Sequence, residues 1–217
     1  MNRILLTGFE AFGDHPSNPT LTALAAFGNQ QIAGAQIVTQ ALPVDAARMP
    51  GVLEEVLRRL RPQAVLLTGL AAGRVQLSLE RAALNVLDFR IPDNAGVSFQ
   101  DAELFPGGSD AYLSTLPLRA VLGAWQAAGL PGYISDTAGL YLCNQAMYLA
   151  RHQLGPSVPC GFLHVPADET LALAQPSGKP PLPYLPQVEI NRGIELALAV
   201  LAGQLESVQK EKQTTGV

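Results

Sequence analysis

Cys143 stands in the stretch Ser135-Asp136-Thr137-Ala138-Gly139-Leu140-Tyr141-Leu142-Cys143-Asn144, and residues 145–154 after it read as a helix. A thiol in the first turn of a helix meets unpaired backbone N–H groups and the positive end of the helix dipole. Both favour thiolate over thiol, and the thiolate is the nucleophile. Downstream, Gly161-Phe162-Leu163-His164-Val165-Pro166 reads as a strand carrying a histidine at its end. One cysteine and one distant histidine are the minimum equipment of a cysteine hydrolase. A buried structural role is the commoner fate of cysteine, but Asn144 and the glycine-containing turn into the helix favour a nucleophile at position 143. Cys160 lies inside the strand and reads as structural. It stands four residues from His164 on that strand, with too few companions for a metal site.

The other histidines have simpler readings. His15 falls in a loop, and His152 in the last turn of the helix, where it meets the C-terminal end of the dipole. His164 is left as the candidate base. Glu80 sits in a run where Val75, Leu77 and Leu79 interleave with Gln76, Ser78 and Glu80, the pattern of a strand with one polar face. A water-facing edge strand would account for the carboxylate; a functional reading makes it the acid that orients the base. Gly8 and Gly13 bracket a loop, but Asp14 and His15 follow where a phosphate loop needs Lys and Ser/Thr, and the 69–74 stretch lacks dinucleotide spacing. Phe9 and Phe12 in the first loop read equally as core or as the walls of an apolar pocket.

The elements that must position these residues alternate along the chain. Ile4-Leu5-Leu6, residues 36–42 and Ala64-Val65-Leu66-Leu67 read as strands, the last an unbroken apolar run of the kind buried on both faces. Between them, Asn18-Pro19 opens a helix that stops at Gly28, and Val52, Leu53, Val56, Leu57 and Leu60 recur at helical spacing. Residues 75–87 form a further strand, and Pro117 opens a helix closed at Gly129. Tyr133-Ile134 leads to the Cys143 helix, Cys160 to the His164 strand, and Ile190, Ile194, Ala197, Leu201 and Leu205 mark a last amphipathic helix. This rhythm predicts a single α/β domain over 1–208, a three-layer α/β/α sandwich on an open, mostly parallel twisted sheet, with 209–217 a frayed polar tail. In such sheets ligands bind outside the C-terminal ends of the strands. The 8–13 loop, the 69–74 loop, Cys143 and His164 are all expected on that rim. Two loop-rich stretches, 90–108 and the proline-rich 175–187, read as surface loops or lids.

Composition sets bounds. A chain of 217 residues, 48% hydrophobic, has enough material for a sizeable core. A net charge of −4 with no basic run argues against nucleic acid, and no segment approaches a membrane span. Two cysteines make no disulfide framework, and the short apolar start is no signal peptide, so the expectation is a cytoplasmic protein.

Six segments in order carry a family pattern: Leu6-Thr7-Gly8-Phe9-Glu10-Ala11-Phe12-Gly13; Ser78-Leu79-Glu80-Arg81-Ala82-Ala83-Leu84-Asn85; Arg90-Ile91-Pro92-Asp93-Asn94; Thr115-Leu116-Pro117-Leu118-Arg119-Ala120; Ala138-Gly139-Leu140-Tyr141-Leu142-Cys143-Asn144; and the His164 strand. Together they resemble the pyroglutamyl peptidase I family of cysteine peptidases. The resemblance implies removal of an N-terminal pyroglutamyl residue from peptides through a thioester acyl-enzyme, with Cys143, His164 and Glu80 catalytic. It implies Phe9 and Phe12 flanking the lactam ring, with Leu70, Ile91, Tyr141 and Leu142 nearby. Backbone N–H groups at Cys143 and at Ala71 in the 69–72 loop would take the oxyanion, and Arg90 or Arg74 would lend electrostatic support. No metal or organic cofactor is implied, and a homotetramer is. The chain departs from the family's usual Gly at Ala72, Thr at Leu140 and Pro at Glu169. A different cysteine amidase, or a nucleotide-binding or interaction domain with an inert Cys143, are the rival readings.

Overall fold

A computed structural model describes the backbone of residues 1–215 and the side chains of residues 1–210. In chain order the elements are β1 (Arg3–Phe9), α1 (Pro19–Phe27), β2 (Gln31–Ile32), β3 (Ala35–Leu42), α2 (Met49–Leu60), β4 (Ala64–Leu70), β5 (Leu77–Leu84) and β6 (Val86–Leu87). There follow β7 (Ala102–Glu103), β8 (Ala111–Leu113), α3 (Leu118–Ala127), β9 (Gly132–Thr137), α4 (Leu142–Leu154), β10 (Cys160–Val165), α5 (Glu169–Leu173) and α6 (Gln187–Thr215). The main sheet runs β2-β3-β1-β4-β10-β5-β8, with β9 paired to the other side of β5. β3, β1, β4 and β10 are mutually parallel, whereas β5 meets β10 antiparallel. The expected mostly parallel sheet is present.

Alternation along the central strands builds three layers. Ile4 and Leu6, Ala64 and Leu66, and Leu163 and Val165 face a core shared with α1, α3 and α6. Leu5, Val65 and Leu67, and Cys160 and Phe162 face a second core shared with α2 and α4. Strands sandwiched between helix layers must be apolar on both faces, which is why these runs are unbroken. The helix starts follow side-chain chemistry. Asn18 caps α1 by accepting from Thr20 N at 3.1 Å, with Pro19 at the first helical position. Thr20 Oγ1 in turn accepts from Phe9 N at 3.0 Å, tying the α1 start to the end of β1. Gly8 is required at this junction, since a Cβ there would meet the Thr20 carbonyl oxygen at 2.7 Å.

Three expectations are corrected. First, of the two readings left open for Glu80, the water-facing edge strand fails: β10 and β9 flank β5, and Ser78 and Glu80 are fully buried. Second, β9 is parallel to β5 and so opposed to β10, which means that Cys143 does not reach the rim as the continuation of a parallel strand. Third, the stretch after position 208 continues α6 through Thr215, its Gln209 side chain donating to Asn2 Oδ1 at 2.7 Å. Gln, Glu and Lys are good helix formers, and an amphipathic helix already docked on the core extends through them at little cost. Gly216 and Val217 lie outside the described residues.

The 175–187 stretch folds back toward the rim. Leu182 packs on a small cluster of Leu70, Ala167 and Leu171 that Phe12 also joins. Glu169, which stands where the family resemblance implies proline, sits in the first turn of α5 and accepts from Gln187 N at 2.7 Å. It thereby caps the start of α6.

Candidate active site

The site is assembled on the side of the sheet that α2 and α4 cover. His164, at the end of β10, pairs in register with Gly69 of β4 on one side and Ser78 of β5 on the other. Gly69 leaves room for sulfur: a Cβ there would lie 2.9 Å from Cys143 Sγ and 2.7 Å from Phe162 Cζ. Cys143 comes to this spot from the first turn of α4, and it lines one cleft of about 690 Å³ together with His164, Leu70, Ala71, Ala72, Arg74 and Arg90.

What fixes the start of α4 is Asn144. Its side chain accepts from Leu84 N at 2.7 Å and donates to the carbonyls of Leu84 and Val86 at 2.8 and 3.0 Å. Asn144 is fully buried, so it brackets α4 onto the end of β5 and does not line the cleft. Ahead of it, Tyr141 donates to Pro92 O at 3.2 Å and packs edge-on to Phe89, ring centroids 4.5 Å apart. Burial, Asp93 and Cys143 push the Tyr141 phenol up to about 12, so it stays protonated.

Glu80 Oε1 accepts from His164 Nδ1 at 2.7 Å and from Arg74 Nη1 at 2.6 Å. The carboxylate is fully buried. Burial alone would raise its pKa, but the bond and charge of His164, with Ser135 and Arg74, outweigh that and hold it below the ordinary 4.5. Burial drives His164 the other way, below 6.5, against the raising pull of Glu80. With Nδ1 engaged by an ionised carboxylate, the ring's proton sits on Nδ1 and Nε2 is the free base.

For Cys143 the expectation of a thiolate favoured by the helix start is reversed. Burial and the Glu80 charge push the thiol up to about 12, while Arg74 and the residue's own backbone N–H pull it down by less. Beside an ionised carboxylate, removal from water outweighs one helix terminus.

An apolar recess opens beside the sulfur, lined by Phe9, Phe12, Val44, Leu70, Tyr141 and Leu142, with Asn18 at its edge. Ile91 lies outside it: the side chain is 45% exposed and borders the wider cleft. Ala71 cannot serve as the second oxyanion donor, because its N–H is already given to Val165 O at 2.9 Å. The N–H groups of residues 142–144 precede the first bond of α4, made by Gln145 N to Tyr141 O at 3.1 Å, and remain to receive negative charge. Arg90 is exposed on the cleft wall, and it is Arg74 that reaches the buried carboxylate. The sequence reading does not contain Val44, which lines the recess, or Phe89, which packs on Tyr141. Val44 stands just past the end of β3 on the same rim, where the strand-end rule would have found it. Phe89 carries no such signal.

A family model described as pyroglutamyl peptidase matches residues 2–203. The chain belongs to the pyroglutamyl peptidase family. Members of this family are cysteine peptidases that remove N-terminal pyroglutamate. The pyrrolidone-carboxylate peptidase of Deinococcus radiodurans is 48% identical over 217 residues, spanning 98% of this chain and all of the relative. That of Thermococcus kodakarensis is 37% identical across 92% of this chain and 95% of its own. Among solved structures, the pyrrolidone carboxyl peptidase of Thermus thermophilus superposes with a TM-score of 0.85 at 45% identity, covering 91% of this chain and all of that one. A variant of the Pyrococcus furiosus enzyme reaches 0.90 at 35% identity, covering 94% and 99%.

Proposed function

We propose that this chain hydrolyses the amide bond after an N-terminal pyroglutamyl residue, with Cys143 as nucleophile, His164 as base and Glu80 as the group that orients the base. The observation that carries the reading is the apolar recess opening at the sulfur of Cys143, with the Glu80-paired His164 in the same cleft. The directions of the shifts at Cys143 and His164 support a resting pair of neutral thiol and neutral imidazole. Sulfur attacks the carbonyl carbon of the scissile amide, outside the lactam ring, as His164 Nε2 takes its proton. The carbonyl oxygen, now negative, turns toward the N–H groups at the start of α4. His164 returns the proton to the leaving amine nitrogen as the C–N bond breaks, which leaves a thioester. Water, deprotonated by His164, then releases pyroglutamate and restores the thiol. Glu80 holds the imidazole tautomer and stabilises imidazolium while it carries the proton.

Specificity follows from the recess. No carboxylate lines it. An ordinary N-terminus would bring an ammonium group there unpaired, at a cost of about several kcal/mol, whereas the lactam carries no charge. A panel of fluorogenic amides differing only in the acyl residue tests this: pyroglutamyl turned over, alanyl, prolyl and glutamyl left intact. Comparable turnover of the alanyl amide would overturn the assignment of the recess.

Family resemblance supports a homotetramer, which light scattering on the purified protein would check. No helix among the described residues is long and apolar enough to cross a membrane. Together with the two unpaired thiols, Cys143 and Cys160, this supports the cytoplasm as its place.

A further inference from the structure

The proposed steps use Cys143, His164 and Glu80, and of the two arginines on the cleft it is Arg74, not Arg90, that contacts one of them. Its guanidinium reaches Glu80 Oε1 at 2.6 Å, the same oxygen that His164 Nδ1 uses at 2.7 Å. Glu80 Oε2 makes no hydrogen bond of its own, although Ser135 on β9 is near enough to the carboxylate to help hold its pKa down. The same Nη1 donates to Ser78 Oγ, directly opposite His164 in the β5–β10 pairing, and the guanidinium lies 5.9 Å over the Tyr133 ring. Arg74 is therefore held by three groups on β5 and β9, while its side chain keeps 29% exposure at the cleft. One oxygen thus serves two cationic or potentially cationic donors.

We propose that Arg74 is a positioning residue that competes with His164 for a single oxygen of Glu80 and so keeps the imidazole a free base in the resting enzyme. The proposal rests on the Cys143–His164–Glu80 reading above. Without Arg74, the undivided carboxylate would favour imidazolium, which cannot accept the thiol proton. With it, the pair carries a compensating charge, and a proton added to either Glu80 or His164 meets repulsion. Glu80 and His164 share one buried oxygen–nitrogen contact and take up that proton as a unit. Arg74 also lowers His164 and Cys143 directly through its charge. The other groups around His164 are Ser78 on β5 and the Phe162 ring, and Cys143 on α4, Asp88, Arg90 and His15 line the same cleft.

The test is kcat/KM against pH for the full-length enzyme on a pyroglutamyl amide, in Arg74→Gln, Arg74→Lys, Glu80→Gln and the Arg74→Gln/Glu80→Gln pair. Removing a cation beside the dyad should move the acid limb of Arg74→Gln upward by about one pH unit. Arg74→Lys, which keeps the charge, should leave the limb near that of the wild type. Glu80→Gln should move it downward, and in that background Arg74→Gln should shift it less than it does alone. Should Arg74→Gln not fold, Arg74→Met, which keeps a long unbranched side chain without the charge, reads the same limb. An acid limb unmoved or lowered in a folded Arg74 variant overturns the inference. A Glu80→Gln enzyme with wild-type turnover and limb would instead overturn the reading of Glu80 on which it rests, so the two failures are distinguishable.

Discussion

At the scale of single residues, the charge on Glu80 matters more than its hydrogen-bonding shape. Glu80→Gln can keep a contact to His164 Nδ1, but it removes the charge that stabilises imidazolium and offers an N–H that selects the wrong tautomer. Loss of the equivalent carboxylate in a serine protease lowers turnover about 10⁴-fold. A sulfur nucleophile is intrinsically more reactive, so kcat here should fall roughly 10- to 1,000-fold. Steady-state kinetics at saturating substrate reads this. The wild-type acid limb is a second expectation. Because burial depresses His164, kcat/KM should fall on the acid side with a midpoint below the ordinary 6.5, and a midpoint above it would contradict a resting neutral imidazole.

At the scale of elements, the two helix layers should respond differently to damage. Trp125 on α3 is fully buried and donates to Gly193 O of α6 at 2.8 Å, on the layer remote from the cleft. Trp125→Ala should cost about 3–5 kcal/mol in denaturant unfolding, while turnover per folded molecule stays close to wild type. Asn144→Ala strips partners from three backbone groups at the end of β5 and in β6, at about 2–3 kcal/mol. In that variant turnover should also fall, because α4 loses the bracket that sets the position of Cys143. The same elements show where sequence reading succeeds and stops. The apolar runs of β1 and β4 announce their burial because each residue's partner is simply a helix layer. Ser78 and Glu80 alternate like a water-facing stripe, and local alternation cannot reveal that their partners are Arg74 and a histidine 84 residues from Glu80. The reversed direction of β9 left no mark in composition either. Ala71 illustrates a finer limit: a rim position is legible, but whether its N–H is free depends on Val165.

At the scale of the whole molecule, stability should form a plateau bounded by identifiable groups. Below pH 6.5 His164 takes up its proton first in the unfolded chain, because in the fold it is depressed, so stability falls as pH drops. Glu80, depressed below 4.5, adds to the loss further down. On the alkaline side the signs reverse. Cys160 ionises near its ordinary 9.0 when unfolded but is pushed to about 12 by burial in the fold. Between those limits it should remove about 1.4 kcal/mol per pH unit. Chemical denaturation at intervals from pH 5 to about 11 would trace both flanks. A Cys160→Ser variant, compared with the parent, should lose most of the alkaline slope attributed to that residue.

The complete burial of Cys160 within the α2–α4 core has a practical outcome of its own. With Cys143 replaced by alanine, the remaining thiol is sealed from any reagent until the polypeptide opens. Its rate of reaction with a disulfide reagent, compared with that of a free peptide thiol, then measures how often the native state breathes in ordinary buffer. The protein carries an internal gauge of its own opening, one that needs neither denaturant nor substrate.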